Sequence, residues 1–241
     1  MKPEFKLSSF KYLILGAGGL GFALQQMLYH FGTDEKGLLI RGHWAGVSLL
    51  ILTAAALAAI FWFTRSLPAT GRCADASIPG GIGCLLAAAA LFLKSPAIPG
   101  ALSRLEQFGS LAAQLSLCAL ASCRFTGKKS HFLLQGLVCL HLAVRMISQY
   151  QNWSSDPQLT DYAFFLLAHV ALMVFAYRLT ASDAALGSPR SLWRWGLAAL
   201  YLCCCAPCDR SGRLFLLLTG IWVFTFLCAP SISTDTQEVT Q

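Results

Sequence analysis

The sequence predicts an all-α integral membrane protein, a polytopic bundle of about eight transmembrane helices. Of its 241 residues, 56% are apolar and only 12% are charged, whereas soluble domains carry about 25% charged residues. So little charge does not cover the surface of a soluble globule, but a surface that faces lipid needs none. The apolar residues also occur in runs that approach the roughly 20 residues needed to cross a bilayer. Residues 1–230 are therefore interpreted as one membrane domain, and the polar residues 231–241 as a disordered tail.

Eight apolar runs define the predicted spans. In chain order they cover residues 12–29, 44–63, 78–93, 101–123, 131–148, 162–179, 192–206 and 214–229. The first run follows three lysines, but no small-residue cleavage site comes after it, so it is interpreted as an uncleaved span rather than a signal peptide. The second, sixth and eighth runs are the clearest. The third, fourth and seventh are short or rich in alanine, so seven spans are the alternative to eight.

The connections between these runs carry residues that favour turns. Pro68 and Gly71 follow the second run, Pro99 and Gly100 precede the fourth, and Pro207 ends the seventh. Proline and glycine at such positions interrupt helices. Each connection is too short to hold a folded domain, so the chemistry of the protein is expected within the spans.

The distribution of basic residues predicts that both termini lie in the cytoplasm. With eight spans, 11 of the 18 Lys and Arg residues lie on the side of the N-terminus and six lie on the other side, while Arg145 lies inside a span. Short loops rich in Lys and Arg stay in the cytoplasm. The net charge of +7 is therefore interpreted as a topology signal rather than as a nucleic-acid-binding surface. The plasma membrane is the predicted location.

A glycine-rich segment lies within the first run. Gly16, Gly18 and Gly21 fit the pattern G-x-G-x-x-G, which resembles the nucleotide-binding loop of ubiquitin-activating-type and other dinucleotide-binding enzymes. Such a loop needs a second strand within about 30 residues, and here a membrane span follows instead. We therefore interpret Gly16, Ala17, Gly19 and Gly21 as small residues that let another helix approach closely.

Polar residues inside the spans are the candidate ligand-binding residues. His141 and Arg145 are four residues apart and share one face of the fifth helix, while His169 lies midway along the sixth. Together they predict a cavity for a small anionic solute, because polar groups at membrane depth are costly. Gln25 and Gln26, at the end of the first span, are further candidates to line a cavity. The alternative is that these groups only bond to neighbouring backbone or reach the membrane surface.

Cysteine residues offer one further chemistry. Cys205 and Cys208 form a C-x-x-C pair, a spacing that suits thiol exchange. Packing and palmitoylation are the alternative roles of these thiols. No second pair lies at zinc spacing, so we predict no metal site, and no motif indicates a cofactor.

Three classes of function follow from the sequence. The first is a small permease or ligand-binding membrane subunit, which the polar residues of the fifth and sixth spans favour. The second is a non-catalytic membrane scaffold that assembles with partner subunits in the lipid bilayer. The third is an intramembrane thiol-redox enzyme, supported only by Cys205 and Cys208. The sequence has no paired carboxylates and no serine-based motif that would indicate a hydrolase, so an enzyme is the less favoured interpretation.

Overall fold

The chain folds into helices, as its apolar runs predict. The computed structural model describes residues 3–32, 40, 42–67, 72–73, 77–93, 101–128, 130–153, 163–184, 186–206, 210–228 and 232–233. Within these residues the helices are α1 (Pro3–Phe31), α2 (Trp44–Thr64), α3 (Ile78–Ala90), α4 (Ala101–Thr126), α5 (Phe132–Trp153), α6 (Ala163–Asp183), α7 (Pro189–Cys205) and α8 (Arg210–Cys228). A two-residue antiparallel pair joins β1 (Arg72–Cys73) to β2 (Ile232–Ser233). Residues 234–241 of the predicted tail lie outside the described residues.

Four helices in the described part of the chain are long and apolar enough to cross a membrane. Two more apolar helices, Ile78–Ala90 and Leu214–Cys228, are shorter. These apolar helices are compatible with a membrane location. The four long ones are Trp44–Thr64, Ser103–Thr126, Phe132–Gln151 and Ala163–Asp183.

Local residues account for several helix ends. At the start of α3, the Ser77 hydroxyl accepts the Gly80 N–H at 3.2 Å, and a proline occupies the first turn, a combination that favours helix initiation. Gly42, just before α2, and Gly127, just after α4, have φ angles of 82° and 68°. Glycine adopts this left-handed conformation without steric cost. The chain therefore reverses direction at these two positions.

Six of the helices form a closed ring. From α3 to α8 each helix packs against the next, and α8 packs against α3 as well as α7. The two remaining helices, α1 and α2, lie outside this ring and pack against α7. As a result α7 is buried along most of its length.

The helix α3 is short and lies at the edge of the bundle. It has 13 residues and is therefore about 20 Å long. One face is exposed at helical spacing and carries Ile78, Ile82 and Leu85. The other face packs on α4 and α8. Because α3 ends early, the turn of Leu91, Phe92 and Leu93 leaves space beside the first half of α4.

The glycine-rich segment lies within α1, so its residues pack helices and do not form a loop between a strand and a helix. A Cβ atom at Gly18 would lie 2.7 Å from the Cβ of Cys204, and one at Gly21 would overlap the sulfur of Cys205. Both glycines therefore let α1 approach α7 closely. A Cβ atom at Gly16 or Gly19 would meet no atom of another helix within 4 Å. The predicted helix contact at Gly16 and Gly19 is therefore wrong.

Ala17 shows an intermediate case in the same segment. It is partly buried and packs against the hydrophobic core. Within the segment, close contact is thus made by one face of α1, and the face that carries Gly16 and Gly19 points away from the bundle.

Candidate functional cavity

The buried face of α5 carries five buried polar side chains, more than any other helix in the described part of the chain. Its buried residues recur every three or four positions, as expected for one face of a helix. Polar residues outnumber apolar ones along that face, so polar groups form a line along α5. The buried residues are Gln135, Val138, His141, Leu142, Arg145, Ser148 and Gln149.

Arg145 is the buried cation at the centre of this arrangement. Its side chain is 3% exposed, and its guanidinium carbon lies 3.9 Å from the ring centre of Phe215 on α8. A desolvated contact of this kind contributes about 2 kcal/mol. Its Nε atom has no hydrogen-bond partner in the described part of the chain. The charge of Arg145 is thus only partly compensated by the protein.

His169 contacts the same aromatic ring as Arg145. It is fully buried, and its ring stacks on Phe215 with centroids 5.3 Å apart. Its Nδ1 atom lies 3.0 Å from the carbonyl oxygen of Phe165, whereas Nε2 has no partner among the described residues. Phe215 therefore holds side chains from α5 and α6 together.

His141 lies one turn before Arg145 and is also buried. Neither of its ring nitrogens has a hydrogen-bond partner within the described ranges. It approaches α4 at Gly109, where a Cβ atom would lie 3.3 Å from Nδ1. A larger residue at Gly109 would therefore press on the imidazole.

A cavity of about 530 Å³ opens beside His141 and Arg145. Its size falls within the usual range of small-molecule sites. It lies between the end of α3, the first half of α4 and the second half of α5. The lining residues are Leu91, Phe92, Leu93, Ser103, Glu106, Gln107, Ser110, Leu111, Gln114, His141 and Arg145.

The α4 wall of this cavity is polar at helical spacing. Gln114 donates a hydrogen bond from Nε2 to the Ser110 hydroxyl at 3.2 Å, and Ser110 donates to the carbonyl oxygen of Leu91 at 3.1 Å. These bonds link α4 to the end of α3 and fix the shape of the wall. Glu106, one turn earlier, adds a carboxylate to the lining.

Other residues predicted from the sequence lie apart from this cavity. His169 stacks on Phe215 and is not one of the residues that line the cavity. Gln25 is buried and Gln26 is half-buried on α1, which does not line the cavity. The Oε1 atom of Gln25 has no partner in the described part of the chain.

Only one cysteine of the predicted C-x-x-C pair lies within the described residues. Cys205 is a free, buried thiol that donates to the carbonyl oxygen of Gly18 at 3.7 Å, which suits a packing role between α7 and α1. Cys208 lies outside the described residues. Among the residues that are described, no group of three or more His, Cys, Asp and Glu side chains is placed to hold a metal ion.

Several residues of the site were missed by sequence reasoning. Ser103, Glu106 and Ser110 recur every three or four residues, so a polar face of α4 could have been predicted from the sequence. Phe215 carried no such signal, because an apolar residue in an apolar run does not reveal which side chains it will contact.

No protein-family profile matches the chain, and no curated protein or solved structure resembles it significantly. The geometry of the cavity is therefore the basis for inferring its function.

Proposed function

We propose that this chain is a plasma-membrane protein of about eight spans, with both termini cytoplasmic, and that it acts as a small permease or ligand-binding membrane subunit. Its cavity binds a small solute with an anionic group, which Arg145 contacts. One observation carries this proposal: at the wall of a cavity of about 530 Å³ lies a buried guanidinium whose Nε has no partner among the residues that the structure describes.

The energetics of Arg145 favour an anionic ligand. A charged arginine at the centre of a span costs about 2.5–3.5 kcal/mol on insertion scales. The aromatic contact with Phe215 offsets about 2 kcal/mol of this. A carboxylate, phosphate or sulfate in the cavity would complete the hydrogen bonding of the guanidinium, because charge-assisted bonds to such groups are strong.

The polar line along α5 favours a permease over a binding subunit. Gln135 lies on the same buried face as Arg145, ten residues earlier, at a distance of about 15 Å along the helix. It is fully buried, and neither its Oε1 nor its Nε2 has a partner in the described ranges. Unpartnered buried polar atoms cost about 1–3 kcal/mol each. A route for a polar solute beyond the cavity gives Gln135 a role that offsets this cost.

The proposed orientation places the cavity mouth on the outer face of the membrane. The helices α3 and α4 meet at the cavity, at the end of the bundle opposite the start of α1. A cysteine introduced at Ser155 should react with a membrane-impermeant maleimide added to intact cells, and one at Thr126 should not. The reverse pattern would place the cavity on the cytoplasmic side.

Anion binding is tested by the thermal stability of the purified protein in lipid nanodiscs. A panel of acetate, benzoate, inorganic phosphate and sulfate is added to the wild type, to Arg145→Gln and to Arg104→Gln. Arg104 is an exposed arginine on α4 outside the cavity lining and is the matched control. A ligand present at 100 times its Kd stabilises by about 2.7 kcal/mol.

The expected result is stabilisation of the wild type and of Arg104→Gln by at least one anion, and no stabilisation of Arg145→Gln. Equal responses of all three proteins would mean that Arg145 does not bind the anion. If no solute with an anionic group, simple or zwitterionic, stabilises any of them, the cavity is not an anion site, and a non-catalytic membrane scaffold becomes the better proposal.

A further inference from the structure

The cavity lining contains a second charge, opposite in sign to the first. Glu106 on α4 and Arg145 on α5 both line it. The Nε atom of Arg145 has no hydrogen-bond partner among the described residues, Glu106 included. The lining therefore presents a carboxylate and a guanidinium that keeps a free N–H.

The end of α3 adds to the negative side of this arrangement. Ser110, one turn after Glu106, reaches the carbonyl oxygen of Leu91, so Glu106 belongs to the part of the cavity next to the end of α3. The C-terminal end of a helix carries partial negative charge and favours cations. One side of the cavity thus suits a cationic group, and the side of Arg145 suits an anionic group.

The remaining wall is apolar. Leu91, Phe92, Leu93 and Leu111 contribute hydrocarbon surface to the same cavity. An occupant that matches all three surfaces has an anionic group, a cationic group and an apolar part. A simple anion leaves Glu106 facing the ligand without a partner, and a simple amine leaves the buried guanidinium of Arg145 without one.

We infer that the cavity binds a small zwitterion, an amino-carboxylate with an apolar side chain. Its carboxylate contacts Arg145, its ammonium group contacts Glu106, and its side chain lies against the turn of Leu91, Phe92 and Leu93. This inference rests on the proposed function, because it assigns the ligand of that same cavity.

Three matched probes test the inference. L-Leucine carries both charges, isocaproate is the same molecule without the amino group, and isoamylamine is the same molecule without the carboxylate. Their affinities are measured by isothermal titration calorimetry on the protein in nanodiscs. The variants are Glu106→Gln, Arg145→Gln and the control Arg104→Gln.

The wild type and Arg104→Gln should bind L-leucine at least tenfold more tightly than isocaproate or isoamylamine. Glu106→Gln should weaken L-leucine binding at least tenfold and strengthen isocaproate binding, because the repelling carboxylate is removed. Glu106 is only half-buried, so this variant is expected to fold even if Arg145→Gln does not.

Two results would overturn the inference, and they can be told apart. If isocaproate binds as tightly as L-leucine and Glu106→Gln changes neither affinity, the inferred zwitterionic ligand is wrong, while anion binding at Arg145 is still supported. If none of the three probes binds and no anion of the earlier panel stabilises the protein, the proposed function fails as well.

Discussion

The contact between α1 and α7 predicts opposite effects of the same substitution at two adjacent glycines. Gly18→Ala should destabilise the protein relative to Gly19→Ala. At Gly18 the added methyl group would lie 2.7 Å from the Cβ of Cys204 and 3.5 Å from the carbonyl oxygen of Tyr201, whereas at Gly19 it would meet nothing within 4 Å. Since the Cβ of Cys204 is fixed by its backbone, the helices have to separate.

The magnitude follows from comparing the two variants directly. Replacing glycine by alanine favours a helix by about 0.5–1 kcal/mol, and this gain is common to both positions. Carbon atoms in contact lie about 3.5–4.0 Å apart, so Gly18→Ala requires a shift of roughly 1 Å. Inserting a methyl group into a packed region costs about 1–3 kcal/mol. Gly18→Ala should therefore be less stable than Gly19→Ala by that amount.

Unfolding by sodium dodecyl sulfate in mixed micelles measures this difference. A thiol-reactive dye reports the transition, because Cys84, Cys203 and Cys205 are buried in the folded protein and become reactive on unfolding. Gly16→Ala, at a second open position, should behave like Gly19→Ala. Equal stability of Gly18→Ala and Gly19→Ala would refute the packing of α1 on α7, and so would a larger loss in Gly19→Ala.

Two further predictions concern buried polar groups. The hydroxyls of Tyr201 and Thr53 lie 3.0 Å apart between α7 and α2. A double-mutant cycle with Tyr201→Phe and Thr53→Val should therefore give a coupling energy of about 0.5–1.5 kcal/mol. If the two losses of stability are additive, the hydrogen bond contributes nothing. Gln135→Leu should stabilise the protein by about 1–3 kcal/mol, because it removes buried atoms that have no partner in the described ranges. It should also reduce solute uptake into proteoliposomes while leaving binding intact. Unchanged uptake would remove Gln135 from the route and favour a binding subunit.

Helix positions were largely predictable from the sequence. The predicted starts at Trp44 and Ile78 coincide with those of α2 and α3, because the apolar run begins where the helix is capped. The start of α1 was not predicted: the helix begins at Pro3, nine residues before the apolar run at Tyr12. Hydropathy indicates where a helix enters lipid, but polar residues such as lysine also favour a helix. The helix α1 therefore begins before the apolar run does.

Which faces meet inside the bundle was predictable only in part. His141 and Arg145 share a face because they are four residues apart, and both line one cavity. The glycines of α1 show the limit of such reasoning. Gly18 and Gly21 form one pair at helical spacing, and Gly16 and Gly19 form another, but spacing alone does not tell which pair faces a neighbour.

In the proposed membrane bundle, the shortness of α3 has a consequence for the surrounding lipid. Its exposed face spans about 20 Å, whereas the hydrocarbon core of a bilayer is about 30 Å thick. A hydrophobic segment that is shorter than the bilayer core is met by local thinning of the bilayer. Such thinning would bring water closer to Leu91 and Phe92, which line the cavity, so the proposed solute would reach it without crossing the full depth of one leaflet. Binding kinetics should then slow as the acyl chains of the lipid lengthen, and rates independent of chain length would show that the bilayer does not adapt to α3.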